Sequence, residues 1–309
     1  MKILVTGATG FIGRNLINSL SKEHELYILV RPESKWGDLG VEHCVEFSGD
    51  INHLAFYLKD NHIDGIVHLA SLYIAEHKSE QIYDIINSNV YLGTAILEAC
   101  KIAGTKWFLN TGTIWQNYNS PDYSDEYHPV NLYAASKQAF ISMAKYYIET
   151  SDIRFCTLKL CDTFGPNDTR RKIFSLFEEI SKTGQILDMS PGEQKIDILH
   201  IDDVVAGFLE LINLLHYGMN KRDEYVLTSG HQVSLRELAD IYSYNNHSQL
   251  NINWGGRPYR KREVMKPYIG NVLENWMPLI TNYLTKQTGG GKTLIHNKLC
   301  ALSYFKGAA

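Results

Sequence analysis

Tyr133 and Lys137 stand four residues apart in Tyr133-Ala134-Ala135-Ser136-Lys137. On a helix that spacing puts phenol and ammonium on one face, where the positive charge favours the phenolate. Free tyrosine has a pKa of about 10, so such a neighbour brings it toward a working pH for proton transfer. A second group, Gly7-Ala8-Thr9-Gly10-Phe11-Ile12-Gly13, follows directly on Ile3-Leu4-Val5. It reads as a strand feeding a glycine turn that opens a helix. Glycines let the backbone bend and approach a pyrophosphate, and the helix N-terminus supplies free N–H groups and partial positive charge. The turn alone indicates a nucleotide. Together with the Tyr/Lys pair it indicates redox chemistry on a carbonyl or hydroxyl.

These residues need a scaffold, and the apolar pattern supplies one. Strands are predicted at 2–6, 26–30, 65–69, 106–111 and 154–160, alternating with helices near 11–22, 52–61, 81–103 and 132–150. That alternation predicts an α/β fold with a doubly wound parallel sheet. Gly65-Ile66-Val67-His68-Leu69-Ala70 is nearly continuous apolar, as a strand buried on both faces should be. After Phe164-Gly165-Pro166 the pattern changes. Helices are expected at 170–183, 202–217 and 234–245, with a late strand around Val226-Leu227. Residues 1–165 are read as a dinucleotide-binding domain to which part of 196–230 returns. Residues 166–284 are read mainly as a smaller carboxyl-terminal substrate lobe, and 285–309 as an atypical tail. A ligand would lie between the lobes, beyond the carboxyl ends of the strands. In the tail, Gly289-Gly290-Gly291-Lys292-Thr293 lacks both a preceding strand and the glycine that a phosphate loop needs where Lys286 stands.

The 309 residues suffice for one large domain or two modest ones. Acidic and basic residues nearly balance, 34 against 30, and no basic block points to nucleic acid. No apolar run spans a bilayer, and Met1-Lys2 leads straight into a core-type strand, so a cytoplasmic, unprocessed protein is expected. Cys44, Cys100, Cys156, Cys161 and Cys300 form no metal spacing and no disulfide framework. No metal site is expected.

With these motifs in order, the chain resembles the extended short-chain dehydrogenase/reductase family, in its nucleotide-sugar epimerase, dehydratase and reductase branch. The resemblance runs from Met1 to about Met277. Beyond the glycine turn and the Tyr133 to Lys137 motif it rests on Gly49-Asp50-Ile51, His68-Leu69-Ala70-Ser71 and Asn89-Val90-Tyr91-Leu92-Gly93-Thr94. Phe164-Gly165-Pro166, Gly192-Glu193-Gln194-Lys195-Ile196-Asp197 and His200-Ile201-Asp202-Asp203-Val204 continue it.

The resemblance implies that Tyr133 exchanges a proton with the reacting oxygen and that Lys137 lowers its pKa and binds ribose. It places the hydroxyl that hydrogen-bonds this oxygen within Asn110-Thr111-Gly112-Thr113, with Thr113 preferred and Thr111 next. It implies cofactor contacts from Gly7, Thr9, Gly10, Phe11, Ile12, Gly13, Leu69, Ala70, Ser71 and Asn89, and from Asp50 and Ile51 near the adenine. At the end of the second strand, where an acid would select NAD, the chain has Arg31 and no acid until Glu33. A guanidinium there would bind a ribose phosphate, which favours NADPH over NADH or NAD.

Ile114-Trp115-Gln116 carries no carboxylate where related dehydratases place an acidic pair. The expected reaction is therefore reduction of the 4-keto group of a nucleoside-diphosphate 4-keto-6-deoxy sugar, as in deoxysugar synthases of the abequose and paratose type. Arg260, in the basic cluster 257–262, is expected on the substrate diphosphate, and Asp162 on the sugar. An epimerase holding NAD tightly is the alternative, and a non-catalytic dinucleotide sensor a third. The resemblance also implies a homodimer through the helices at 81–103 and 132–150. Ala139, Met143, Ala144 and Tyr147 are the expected apolar stripe.

Overall fold

The computed structural model describes residues 1–279. The glycine-rich reading of 289–293, and Cys300, lie outside the described residues. The first half alternates as expected: β1 Lys2–Thr6, α1 Phe11–Leu20, β2 Glu25–Val30, β3 His43–Glu46, α2 Ile51–Asp60 and β4 Gly65–His68. There follow α3 Ile82–Ile86, α4 Leu92–Ala103, β5 Trp107–Thr113, α5 Leu132–Thr150 and β6 Arg154–Leu160. The second half contains β7 Asp162–Phe164, α6 Ile173–Thr183, β8 Leu187–Met189, β9 Lys195–Ile196, β10 Ile198–His200 and α7 Ile201–Tyr217. It ends with β11 Glu224–Leu227, β12 Val233–Ser234, α8 Leu235–Asn246 and β13 Ile252–Trp254.

Seven strands form one parallel sheet in the order β11-β6-β5-β4-β1-β2-β3. The chain winds outward in one direction from β1 and in the other from β4. A crevice therefore opens at the ends of those two strands. Alternating side chains supply two core layers. Ile3 and Val5 pack with Leu16, Val204, Phe208 and Leu211 on one face. Leu4, Ile66 and Phe108 pack with Leu58, Ile96 and Phe140 on the other.

The sheet has one strand more on its far edge than the sequence pattern announced. His43-Cys44-Val45-Glu46 is no apolar run, because an edge strand needs little burial. Val45 enters the core while His43 stacks on Tyr27 at 4.5 Å. The predicted helix 81–103 is interrupted by a π-helical turn, Asn87–Tyr91, that joins α3 to α4. Helix α6 starts at Ile173 and not at 170, leaving Arg170 in the loop before it.

The smaller carboxyl-terminal lobe has its own core, in which Phe164, Phe174, Phe177, Met189, Leu238 and Tyr242 meet. Its short strands pair as β7 with β10, β8 with β13 and β9 with β12. None was legible beforehand, since two- and three-residue strands leave no periodicity. The late strand β11 returns to the main sheet beside β6.

The expected outer stripe on α5 is corrected. Ala144 and Tyr147 are buried in the second layer of the core, while Met143, Tyr146 and Ile148 are the exposed apolar residues. Ile82, Tyr83, Ile86 and Tyr91 are exposed on and after α3. Among the described residues, no helix is long and apolar enough to cross a membrane.

Candidate active site

The turn after β1 is shaped so that only glycine fits it. Gly7 has φ +68°, and a Cβ there would lie 2.6 Å from the Ala70 backbone nitrogen. A Cβ on Gly13 would lie 2.3 Å from the Gly7 carbonyl oxygen. Gly10 caps α1 with no side-chain hydrogen bond, so the first-turn N–H groups remain open to an anion. Thr6 seals the junction between β1 and β4. Its Oγ1 accepts from Ala70 N at 3.1 Å and meets His68 Nδ1 at 2.9 Å.

A cleft of about 1290 Å³ opens there, lined by Gly7, Thr9, Gly10, Arg31, Gly49, Leu69, Ala70 and Ser71 among others. This cradle, with its glycine-only backbone and open helix N-terminus, fits a dinucleotide. Gly13, Phe11 and Ile12 stand behind it: Gly13 is buried, and both apolar side chains pack on the core. Asp50 is exposed and caps α2, accepting from His53 N at 3.0 Å, with Ile51 half-buried beside it. Ser48 and Gly49, just before them, line the cleft. Asn89 is buried, and its carboxamide bonds Leu72 and Ser136.

Helix α5 carries Tyr133 and Lys137, as their spacing predicted. Asn131 caps its start, accepting from Ala134 N at 3.0 Å and donating to the Ala75 carbonyl at 2.9 Å. Tyr133 is half-buried, its ring edge-on to Tyr73 with centroids 5.0 Å apart. Lys137 is only 2 % exposed. Lys137 is not among the groups that shift Tyr133, and the net shift is upward where a lowering was expected. Burial pushes the phenol up to about 12, opposed by a hydrogen bond with Ser71 and by the charge of Arg170. Burial alone pushes Lys137 down to about 8. A charge that loses its water is disfavoured, and no carboxylate among the described residues offsets this for Lys137.

The two threonines at the end of β5 differ. Thr113 Oγ1 accepts from Trp115 N at 3.3 Å, and Thr113 N donates to Gln116 Oε1 at 2.9 Å, closing the turn after the strand. Gln116 in turn donates to Gln138 Oε1 at 2.7 Å. Thr111, two residues earlier and so on the same strand face, is buried, and its hydroxyl has no partner among the described residues. A buried hydroxyl left open is a ready donor for a ligand oxygen.

The two expected substrate contacts already hold partners. Asp162 Oδ1 receives Lys172 Nζ at 3.2 Å, and Arg260 Nε meets Glu76 Oε1 at 3.2 Å. Neither residue is among those that line the cleft.

Residues 3–224 match the profile of the NAD dependent epimerase/dehydratase family. The chain belongs to that family. Among curated proteins it is similar to a CDP-abequose synthase of Salmonella muenchen, 29 % identical over 273 residues, 86 % of this chain and 88 % of the relative. A CDP-abequose synthase of Yersinia pseudotuberculosis is 26 % identical over 86 % of this chain and 92 % of its own length. Among solved structures, a UDP-glucose 4-epimerase of Thermotoga maritima with UDP-glucose superposes with a TM-score of 0.78 at 18 % identity, covering 99 % of this chain and 98 % of that one. MoeE5 in complex with UDP-glucose and NAD gives 0.76 at 21 % identity, over 93 % and 97 %. These structural likenesses show the fold. Family membership makes the protein an NAD(P)-dependent enzyme of nucleotide-sugar chemistry.

Sequence reasoning passed over Tyr73, whose ring lies edge-on to Tyr133, and Arg170, which stacks on Phe11. Tyr73 follows the Ser71 motif by two residues, and Arg170 lay within what read as a helix. Only the end of that helix at Ile173 makes Arg170 a loop residue free to fold back.

Proposed function

We propose that this chain reduces the 4-keto group of a nucleoside-diphosphate 4-keto-6-deoxy sugar, in deoxysugar synthesis for surface polysaccharide. One observation carries the reading: helix α5 sets the Tyr133 phenol four residues from Lys137 and edge-on to Tyr73, and a phenol is a protonated donor at neutral pH. Reduction needs such a donor. The missing carboxylate pair after Thr113, and the similarity to two CDP-abequose synthases, support the same reading.

A bound reduced nicotinamide would supply the hydride. Tyr133 gives its proton to the carbonyl oxygen, and Thr111 or Thr113 donates a hydrogen bond to that oxygen as negative charge builds there. Lys137 binds the ribose. Gly7, Thr9, Gly10, Leu69, Ala70 and Ser71 form the wall for the dinucleotide, with Asp50 and Ile51 toward the adenine end. Asp162 and Arg260 meet the sugar and its diphosphate by exchanging their present partners. Among the described residues that line the cleft, Arg31 is the one cation and Asp84 the one acid, which favours the extra phosphate of NADPH.

Residues 1–165 with part of 196–230 form the cofactor unit, and residues 166–284 mainly the substrate lobe. The exposed Met143 and Tyr146 on α5 and Ile82 on α3 supply apolar residues for a two-fold homodimer face. Sedimentation at micromolar concentration should give a dimer; a monomer alone removes that assignment.

The test is a panel of CDP-, UDP- and TDP-linked 4-keto-6-deoxy sugars with NADPH, followed by loss of NADPH absorbance. One member should be consumed with matching alcohol product. Purified protein that carries fluorescent, non-exchanging cofactor and consumes no NADPH is an epimerase instead.

A further inference from the structure

Three aromatic rings stand in a row at the start of α5. The Tyr73 ring lies edge-on to Tyr133, with centroids 5.0 Å apart, and is tilted to Trp115, with centroids 5.7 Å apart. Tyr73 is the middle ring, 50 % exposed between two half-buried ones. A loose backbone is not the cause. Asn89 bonds both backbone groups of Leu72 before it, and the Ala75 carbonyl after it accepts from Asn131 Nδ2 at 2.9 Å. Trp115 is fixed as well. Its N–H donates to Thr113 Oγ1 at 3.3 Å, its carbonyl accepts from Val130 N at 3.0 Å, and its ring packs on the core. Rings held open in this way are apolar surface prepared for a ligand, with little ordering left to do on binding.

We infer that Tyr73 and Trp115 determine specificity: their rings form the wall for the C5–C6 edge of the sugar and select a 6-deoxy methyl over a 6-hydroxymethyl group. This assignment rests on the proposed role of Tyr133 as proton donor to the oxygen on C4. A sugar seated for that transfer brings the carbons beside C4 to the ring that touches Tyr133. Of those carbons, C5 bears the methyl group of a 6-deoxy sugar and so offers the apolar side.

A methyl group gains when ring surface replaces water around it. A hydroxyl in the same place loses its water and needs a partner. The amides next to these rings in the chain are already engaged. Gln116 accepts from Thr113 N with Oε1 and donates with Nε2 to Gln138 Oε1. Asn131 accepts from Ala134 N and donates to the Ala75 carbonyl. The Tyr73 hydroxyl is polar itself, and a phenylalanine variant separates it from the ring.

The test is titration calorimetry on the full chain with NADPH present, using 6-deoxyglucose and glucose linked to CDP, UDP or TDP. These are alcohols that NADPH does not reduce, so binding is read without turnover. The parent should bind the 6-deoxy sugar about 10–100-fold more tightly than the hexose on the same nucleotide. Tyr73→Ala should cut that ratio severalfold by weakening the 6-deoxy sugar, with NADPH affinity unchanged, and Trp115→Ala should do the same. Tyr73→Phe should keep the ratio. A ratio near one in the parent overturns the proposal, as does a parental ratio in Tyr73→Ala. Loss of the ratio in Tyr73→Phe assigns the selection to the hydroxyl and overturns it too. So does equal weakening of both sugars and of NADPH with a lowered melting temperature, which marks a structural ring. If the ratio holds in the parent and falls in Tyr73→Ala while no 4-keto sugar of the panel is consumed, the reductase reading fails and the wall stands.

Discussion

The carboxamide of Asn89 closes on both backbone groups of Leu72. Leu72 N donates to Oδ1 at 2.7 Å, and Nδ2 donates to the Leu72 carbonyl at 3.0 Å and to Ser136 Oγ at 2.9 Å. The π turn Asn87–Tyr91 carries this residue into the interior, where it is 1 % exposed. Its hydrogen bonds tie the segment holding Ser71 and Tyr73 to the helix holding Tyr133. A residue expected at the cofactor therefore has its bonding capacity largely used within the protein.

Asn89→Ala should lower stability by about 2–4 kcal/mol, since it leaves buried partners unsatisfied. The denaturant midpoint should fall with the slope unchanged. Turnover should fall as well, because Ser71 loses its support. An unchanged midpoint would mean that the three bonds contribute nothing net.

Tyr133→Phe keeps the ring and its contact with Tyr73 but removes the proton. Turnover should fall ~10²–10⁴-fold while NADPH binding persists. Thr111→Val and Thr113→Val should separate the two hydroxyls. Thr111→Val removes an unpartnered group, so stability should hold or rise by up to about 1 kcal/mol, while rate drops ~10–10³-fold. Thr113→Val breaks the turn cap and should lower stability by about 1 kcal/mol. A larger rate loss for Thr113→Val would restore it as the donor to the reacting oxygen.

Lys137 should make stability depend on pH in a definite direction. Its folded pKa, about 8, lies below the ordinary lysine value. Between about 8 and about 10.4 the unfolded chain thus binds more protons than the folded one, and this group's contribution rises with pH. Below pH 8 the full penalty of burying the ammonium applies. Lys137→Met should therefore stabilise the cofactor-free protein at pH 7 by about 1–3 kcal/mol, an advantage that shrinks toward pH 10. It should weaken turnover and cofactor affinity together. A pH-independent stability difference would contradict the buried-ammonium account.

Arg31→Asp should shift cofactor preference from NADPH toward NADH by about 1–3 kcal/mol, the loss of one charge-assisted contact. Michaelis constants for both cofactors, measured in parent and variant, check it. Equal constants in the parent would contradict the role given to Arg31.

What sequence alone determined is what local chemistry and burial dictate. The strands at 26–30 and 65–69 stood out because a strand covered on both faces is nearly continuous apolar. The turn at Gly7 was legible because its backbone excludes every side chain but hydrogen. The Tyr133/Lys137 face followed from helical period alone, and Arg31 from its place after a strand. Tertiary structure decided the rest. The sign of the Tyr133 shift depends on what surrounds the ring: burial raises it, and Ser71 and Arg170 oppose that rise. Whether Thr111 or Thr113 has a free hydroxyl depends on how the chain turns after β5. Asn89 finds Leu72 and Ser136, and Arg170 finds Phe11, only once the sheet has brought distant segments together. Hydrogen bonds and ion pairs act over a few ångströms of space, and no spacing along the chain records which residues will share them.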